Sequence, residues 1–181
     1  MKRIILNTMT ILLFAYVLSA ATEWKINFEK ATVKFTMPTE EVNGTLSGLK
    51  ASFIFDENDL ANSKITASVD AATLSTGDKK RDDHLHTSDF FDVEKFPQIS
   101  FISTEIKKTE KGFVAVGNLK MKEKEKSVEI LFTLETKESE MIFKANFAIY
   151  PSDFGVTSRP KDEKEKEGEK VLVEIEVPVS K

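Results

Sequence analysis

From Thr22 onward the apolar residues recur at every second position, and that period confines most of the chain to extended strands. Val33 and Phe35 alternate with Lys34 and Thr36, and Ile65, Ala67, Val69 and Ala71 with Thr66, Ser68 and Asp70. The same spacing links Val128, Ile130, Phe132 and Leu134, then Met141, Phe143, Ala145, Phe147 and Ile149, then Val171, Val173, Ile175 and Val177. Successive side chains of a strand point to opposite faces, so each run has one apolar and one polar face. Turn signals fall between the runs at Asn43-Gly44, Asp56-Glu57-Asn58-Asp59, Lys111-Gly112, Lys137-Glu138-Ser139 and Glu167-Gly168-Glu169. Strands joined at such short range, with no long helical pattern between them, predict an antiparallel sheet. Eight or so strands strain an open sheet, and closure removes the exposed edges. The expected fold is all-β, an antiparallel barrel of about eight strands; a two-sheet sandwich is the alternative. Only Lys79 to Asp92 breaks the period, reading as one or two short helical turns across a barrel mouth.

The first 21 residues follow a different logic. Lys2 and Arg3 precede a mostly apolar stretch from Ile4 to Leu18, and Ser19-Ala20-Ala21 offers small residues for cleavage. The reading is an export signal over 1–21, cut near Ala20 or Ala21, followed by one domain over 22–181. The segment falls short of the ~20 apolar residues a membrane span needs, so no stable insertion is expected. Cysteine is absent, which excludes disulfides, thiolate catalysis, Cys-ligated metals and the lipid-bearing Cys of a lipoprotein. Without Lys2 and Arg3, 24 Lys and Arg stand against 30 Asp and Glu, a net charge of −6. An acidic surface repels phosphate backbones, so nucleic acid is not an expected partner. The expected location is the bacterial periplasm, or secretion. Asn43-Gly44-Thr45 has the form of a glycosylation sequon, but is read as a turn. The dense Lys/Glu mixtures at 120–126 and 161–170 suit solvated hairpins or loops.

An eight-stranded barrel is just wide enough to fill with side chains or to hold one small ligand. The inward faces set bulky Phe53, Phe101, Phe132, Phe143 and Phe147 beside small Ala67, Ala71, Ala115, Gly117 and Ala145. Small residues leave room, and an apolar lining implies a hydrocarbon ligand. The alternative is an ordinary core in which small and large residues interlock.

A set of motifs carries a family resemblance. In order they are Trp24-Lys25-Ile26, Val33-Lys34-Phe35, Gly44 and Gly48 before Phe53-Ile54-Phe55-Asp56, and Val69-Asp70-Ala71-Ala72-Thr73-Leu74-Ser75-Thr76-Gly77. Then come Arg81-Asp82-Asp83-His84-Leu85, Ser88-Asp89-Phe90-Phe91-Asp92, Phe96-Pro97, Ile99-Ser100-Phe101, Gly117-Asn118-Leu119 and Ser152-Asp153-Phe154-Gly155. From Trp24 almost to the C-terminus the chain resembles the YceI-like family of lipocalin-like, polyisoprenoid-binding proteins. The resemblance implies an extended eight-stranded antiparallel barrel with a helical segment near its mouth, a hollow apolar cavity, an isoprenoid or other long-chain ligand, export, and no catalytic activity or cofactor. It leaves pairing of two copies as a homodimer open. The cavity lining is assigned to Phe35, Phe53, Phe55, Ile65, Ala67, Val69, Phe90, Phe101, Phe132, Phe143 and Phe147. Three departures bear on the polar end of a ligand: Pro151 where the family commonly has Arg, Glu123-Lys124-Glu125-Lys126 in place of a Gly-containing hairpin turn, and Met37 where His is frequent.

Arg81, Asp82 and His84 are assigned to the mouth, where a head group would sit; Arg pairs bidentately with phosphate or quinone oxygens. The alternative is an Arg81–Asp82 ion pair pinning the helical turn to the rim, with His84 donating to a nearby carboxylate or carbonyl. His84 and His86 with Asp82, Asp83, Asp89 and Asp92 can be drawn as a metal site, the spacing of two placing both rings on one side of an extended segment. With only two His and solvated acids, no metal is expected. There is no G-x-S-x-G elbow and no phosphate-cradling glycine loop, so no catalytic residue is assigned. Two function classes follow: a lipid-holding carrier or reservoir, and a stress-related structural barrel with a filled core that meets another protein.

Overall fold

The computed structural model describes residues 21–137, 140–157, 162, 165 and 169–181. All of the export-signal reading over 1–21 except Ala21, the turn at 138–139 and most of the 161–170 charge run lie outside the described residues. Ten strands form in chain order: β1 (Glu23–Ile26), β2 (Thr32–Met37), β3 (Val42–Leu46), β4 (Lys50–Ile54), β5 (Lys64–Asp70), β6 (Gln98–Thr109), β7 (Gly112–Met121), β8 (Lys124–Lys137), β9 (Glu140–Ile149) and β10 (Val171–Ser180). All pair antiparallel, and β1 pairs with both β4 and β10, which closes the ring.

The ten segments make eight staves. β10 runs against β2 from Leu172 to Glu176 and against β1 at Val179 and Ser180, so β1 and β2 are two halves of one stave interrupted at 27–31. In the same way β3 pairs with β2 while β4 pairs with β1 and β5, the break falling at 47–49 where Gly48 takes φ 69°. The all-β barrel that the two-residue period predicts is therefore the fold, closed and eight-stranded, with no division into a sandwich.

Asn43-Gly44 is not the turn its composition suggests. Both residues lie inside β3, and the reversal happens earlier, over 38–41, where Glu41 takes φ 53°. Gly44 is used for close approach: a Cβ there would strike the Phe35 ring and come 2.6 Å from the Ser75 carbonyl oxygen. The backbone of Thr45 exchanges hydrogen bonds with Ser75 across this narrow gap, at 2.8 and 3.0 Å. The hairpin turn without a glycine is short. Lys122 and Glu123 alone join β7 to β8, with Lys122 at φ 51°. A left-handed non-glycine residue costs roughly 1–2 kcal/mol; the Lys122 ammonium offsets part of this by donating to the Gly155 carbonyl at 3.3 Å.

Alternation sorts the two ends. The turns after β4, β6 and β8 share one end with the start of β1 and the end of β10, and the connections after β2, β5, β7 and β9 share the other. At the second end lies the one described α-helix, α1 (Lys79–Leu85). The Asp78 carboxylate accepts from the Arg81 amide at 3.1 Å and starts it. A following string of turns, including Asp92 at φ 51°, returns the chain to β6.

Candidate functional site

The lumen is filled at one end and hollow at the other. At the filled end Phe132, the most deeply buried large side chain, touches four rings: Phe53 at 6.2 Å, Phe55 at 5.5 Å, Phe113 at 5.5 Å and Phe143 at 5.1 Å between centroids. Trp24 closes this cluster, packing on Phe53 and donating its indole N–H to the Phe55 carbonyl at 2.9 Å. From the Phe53, Phe132 and Phe143 rings a cavity of about 450 Å³ runs toward the helix end. That lies within the ~300–1,000 Å³ typical of small-molecule pockets.

The walls follow from the two-residue period. Val171, Val173, Ile175, Val177 and Val179 face inward from β10, and Phe143, Ala145, Phe147 and Ile149 from β9. Ala51, Ala67, Ala115 and Ala145 contribute methyl groups where a larger side chain would fill the bore. Phe101 lies flat against the opposite wall because Gly117 on the next strand has no Cβ; one there would sit 2.6 Å from the Phe101 Cζ. A β-bulge between Ser103 and Glu105 bends β6 just beyond, and the Ser103 hydroxyl accepts the Ile65 amide at 2.8 Å.

Of the residues assigned to the lining, Phe35, Phe53, Ile65, Ala67, Val69, Phe90, Phe101, Phe132, Phe143 and Phe147 reach the cavity surface. Phe55 does not. It lies behind Phe53, stacked on it at 5.3 Å, because the strand carries it two residues deeper into the filled end. Missed by the assignment were Leu85 and Phe91, which with Phe90 lie partly buried against the core and cover the mouth. Their signal was the apolar side of an otherwise charged segment.

At the mouth Arg81 and His84 reach the cavity, joined by Thr76, Thr157, Glu40 and Glu169. Asp82 does not face it. Its Oδ1 accepts from the Thr76 amide at 2.8 Å and hydroxyl at 2.6 Å, and its Oδ2 from the Ser75 hydroxyl at 2.9 Å. The expected Arg81–Asp82 ion pair is not made; Arg81 Nε donates to the Thr76 hydroxyl oxygen at 2.8 Å, so the two charges share one threonine. His84 lies 3.3 Å from an Asp89 carboxylate oxygen and edge-on to Phe90, whereas His86 turns to the Leu74 carbonyl at 3.2 Å. The two imidazoles diverge because residue 84 is helical and the segment is not extended. Among the described residues no three His, Asp or Glu side chains gather as metal ligands would.

Residues 24–179 match the YceI-like domain. The chain belongs to the YceI-like family. A UPF0312 protein of Yersinia enterocolitica is 32% identical over 166 residues, spanning 83% of this chain and 84% of that protein. The crystal structure of Burkholderia cenocepacia BcnA shares the fold at a TM-score of 0.74 and 22% identity, covering 87% of this chain and 100% of its own. A polyisoprenoid-binding domain from Saccharophagus degradans, implicated in plant cell wall breakdown, shares it at a TM-score of 0.58 and 8% identity, over 87% of this chain and 97% of that one. In this YceI-like barrel, Met37 and Pro151 both reach the cavity surface, Pro151 at the first position of a short 3-10 turn. The mouth thus has apolar surface at both positions.

Asp82 gives this YceI-like rim a pH dependence. The Thr76 hydroxyl, with smaller help from the Thr76 amide, Ser75 and His86, holds its carboxyl below the usual 3.8, against a partial opposing effect of desolvation. Well above 3.8 the carboxylate is ionised folded or unfolded, and its stabilising contribution is complete. As pH falls below that value the unfolded chain takes up the proton first, and the contribution is lost as pH passes the lower folded value. Acid titration of stability should therefore be less steep in Asp82→Asn than in the parent, and hydrogen exchange at the Thr76 amide should be faster in the variant at neutral pH. Equal exchange rates would show that the clamp does not hold the 75–77 segment.

Proposed function

We propose that this barrel holds a polyisoprenoid or similar long-chain lipid by its tail, without covalent change, as an exported bacterial carrier or reservoir. The observation that carries the reading is a one-ended apolar cavity inside a closed sheet. Each buried methylene is worth ~0.8 kcal/mol, so one isoprene unit contributes about 3–4 kcal/mol before ordering costs. A few units suffice for tight binding. Among the described residues, Arg81 and His84 bring polar groups to the helix end of the lumen, which suits an amphiphile whose polar end stays at the rim. The polyisoprenoid-binding domain of Saccharophagus degradans, sharing the fold, supports the ligand class. The basic, apolar and small-residue succession of the first 21 residues supports export.

Organic extraction of protein purified from its host, followed by mass spectrometry, tests the reading. A lipid in near-stoichiometric amount is expected. A clean extract from folded protein, with no uptake of added lipid, would leave the barrel as a structural or protein-interaction module.

A further inference from the structure

We infer that the ring cluster at the filled end is a chain-length ruler, and that this barrel takes a hydrocarbon tail of about 16–18 carbons. This rests on the lipid-holding reading and adds the size of the ligand and the residue that sets it. Two independent measures agree on the length. From Val171 to Val177, which pairs with Phe143, six steps of ~3.4 Å at a strand tilt of ~40° give roughly 16 Å along the barrel axis between the mouth and the rings. An extended hydrocarbon with ~1.5 Å bonds at ~111° advances ~1.25 Å per bond, so that depth accommodates a main chain of about 12 bonds, which with the branch methyls of a prenyl chain is about 16 carbons. By volume, a dry cavity of ~150 Å³ accepts one benzene. The present one, at about 450 Å³, corresponds on that scale to about 18 carbons.

The stop is rigid because it is several rings deep. Phe143 meets Phe53 at 5.1 Å and Phe132 at 5.1 Å, and Phe55 and Phe113 fill the space behind them. A tail that reaches Phe143 meets this stack of rings, so further carbons stay in water at the rim. Ala145, two residues nearer the mouth on the same face of β9, contributes only a methyl group to the wall.

The test titrates the full-length, delipidated protein with geraniol, farnesol, geranylgeraniol and solanesol, reading complex by native mass spectrometry and by displacement of a fluorescent acyl probe. Affinity should rise about tenfold or more per isoprene unit up to geranylgeraniol and gain nothing further with solanesol. Phe143→Ala should move the plateau to longer prenols. Ala145→Phe, which adds a ring to the bore beside Phe132 and is checked for folding by thermal unfolding, should weaken geranylgeraniol about tenfold or more while changing geraniol less than about threefold. Solanesol binding tenfold tighter than geranylgeraniol, or an Ala145→Phe profile like that of the parent, overturns the ruler and leaves lipid holding in place. Failure of every prenol to bind overturns both.

Discussion

Phe132→Ala is expected to lower the stability of the barrel by about 3–5 kcal/mol, the range for deleting a buried aromatic side chain. Phe132 is 1% exposed and is the one ring in contact with Phe53, Phe55, Phe113 and Phe143 together. Its loss forfeits ring contacts worth ~0.5–1.5 kcal/mol each beyond area burial, and opens a void that strands on a closed ring cannot collapse to fill. For a domain of this size the corresponding fall in Tm is roughly 6–20 °C. Thermal or urea unfolding measures it directly. A fall of less than about 1 kcal/mol would mean that the filled end does not hold the barrel together.

Phe101→Asp should act on the other half of the lumen and abolish lipid retention. Phe101 is 6% exposed, on the cavity wall beside Ala67 and Leu119, with no donor directed at it from these neighbours. A carboxylate there must be desolvated without a partner, costing several kcal/mol, or must take up a proton and leave a polar group among methyl groups. Affinity for a long-chain prenol should fall by at least about a hundredfold, equivalent to ~2.7 kcal/mol. Phe101→Leu, apolar and smaller, should retain binding within about tenfold. Comparison of lipid copurifying with the two variants decides the matter: if folded Phe101→Asp still carries lipid at the parent level, the tail does not pass this wall.

The two variants separate a structural half from a ligand-holding half within one continuous apolar pattern. Along β9, Phe143, Ala145, Phe147 and Ile149 occupy equivalent inward positions. Only Phe143 meets the ring cluster. What distinguishes them is the level in the barrel at which neighbouring staves bring further rings, and that depends on register. Phe53 faces Trp24 and Ile65, while Phe132 faces Phe113 and Ala145. A shift of two residues in any of these pairings would move a ring off this level of the bore.

Local chemistry was legible wherever it depended on side-chain period or on its interruption. The inward and outward faces of β5, β8, β9 and β10, a short helical segment beginning at Lys79, and eight staves with closed edges all follow from spacing in the chain. Elsewhere residue type misled. Asn43-Gly44 has turn composition but lies in β3, since the demand on Gly44 comes from the Phe35 ring and the Ser75 carbonyl, distant residues brought close by folding. Asp82 looks like a head-group ligand in a charged run, yet its oxygens are taken by Ser75 and Thr76. Tertiary structure alone decided where the lumen is hollow, because void space is the difference between the bore of a closed ring and the rings that meet within it at one level. Alternation in one strand reports which side chains point inward, and carries no record of what faces them across the barrel.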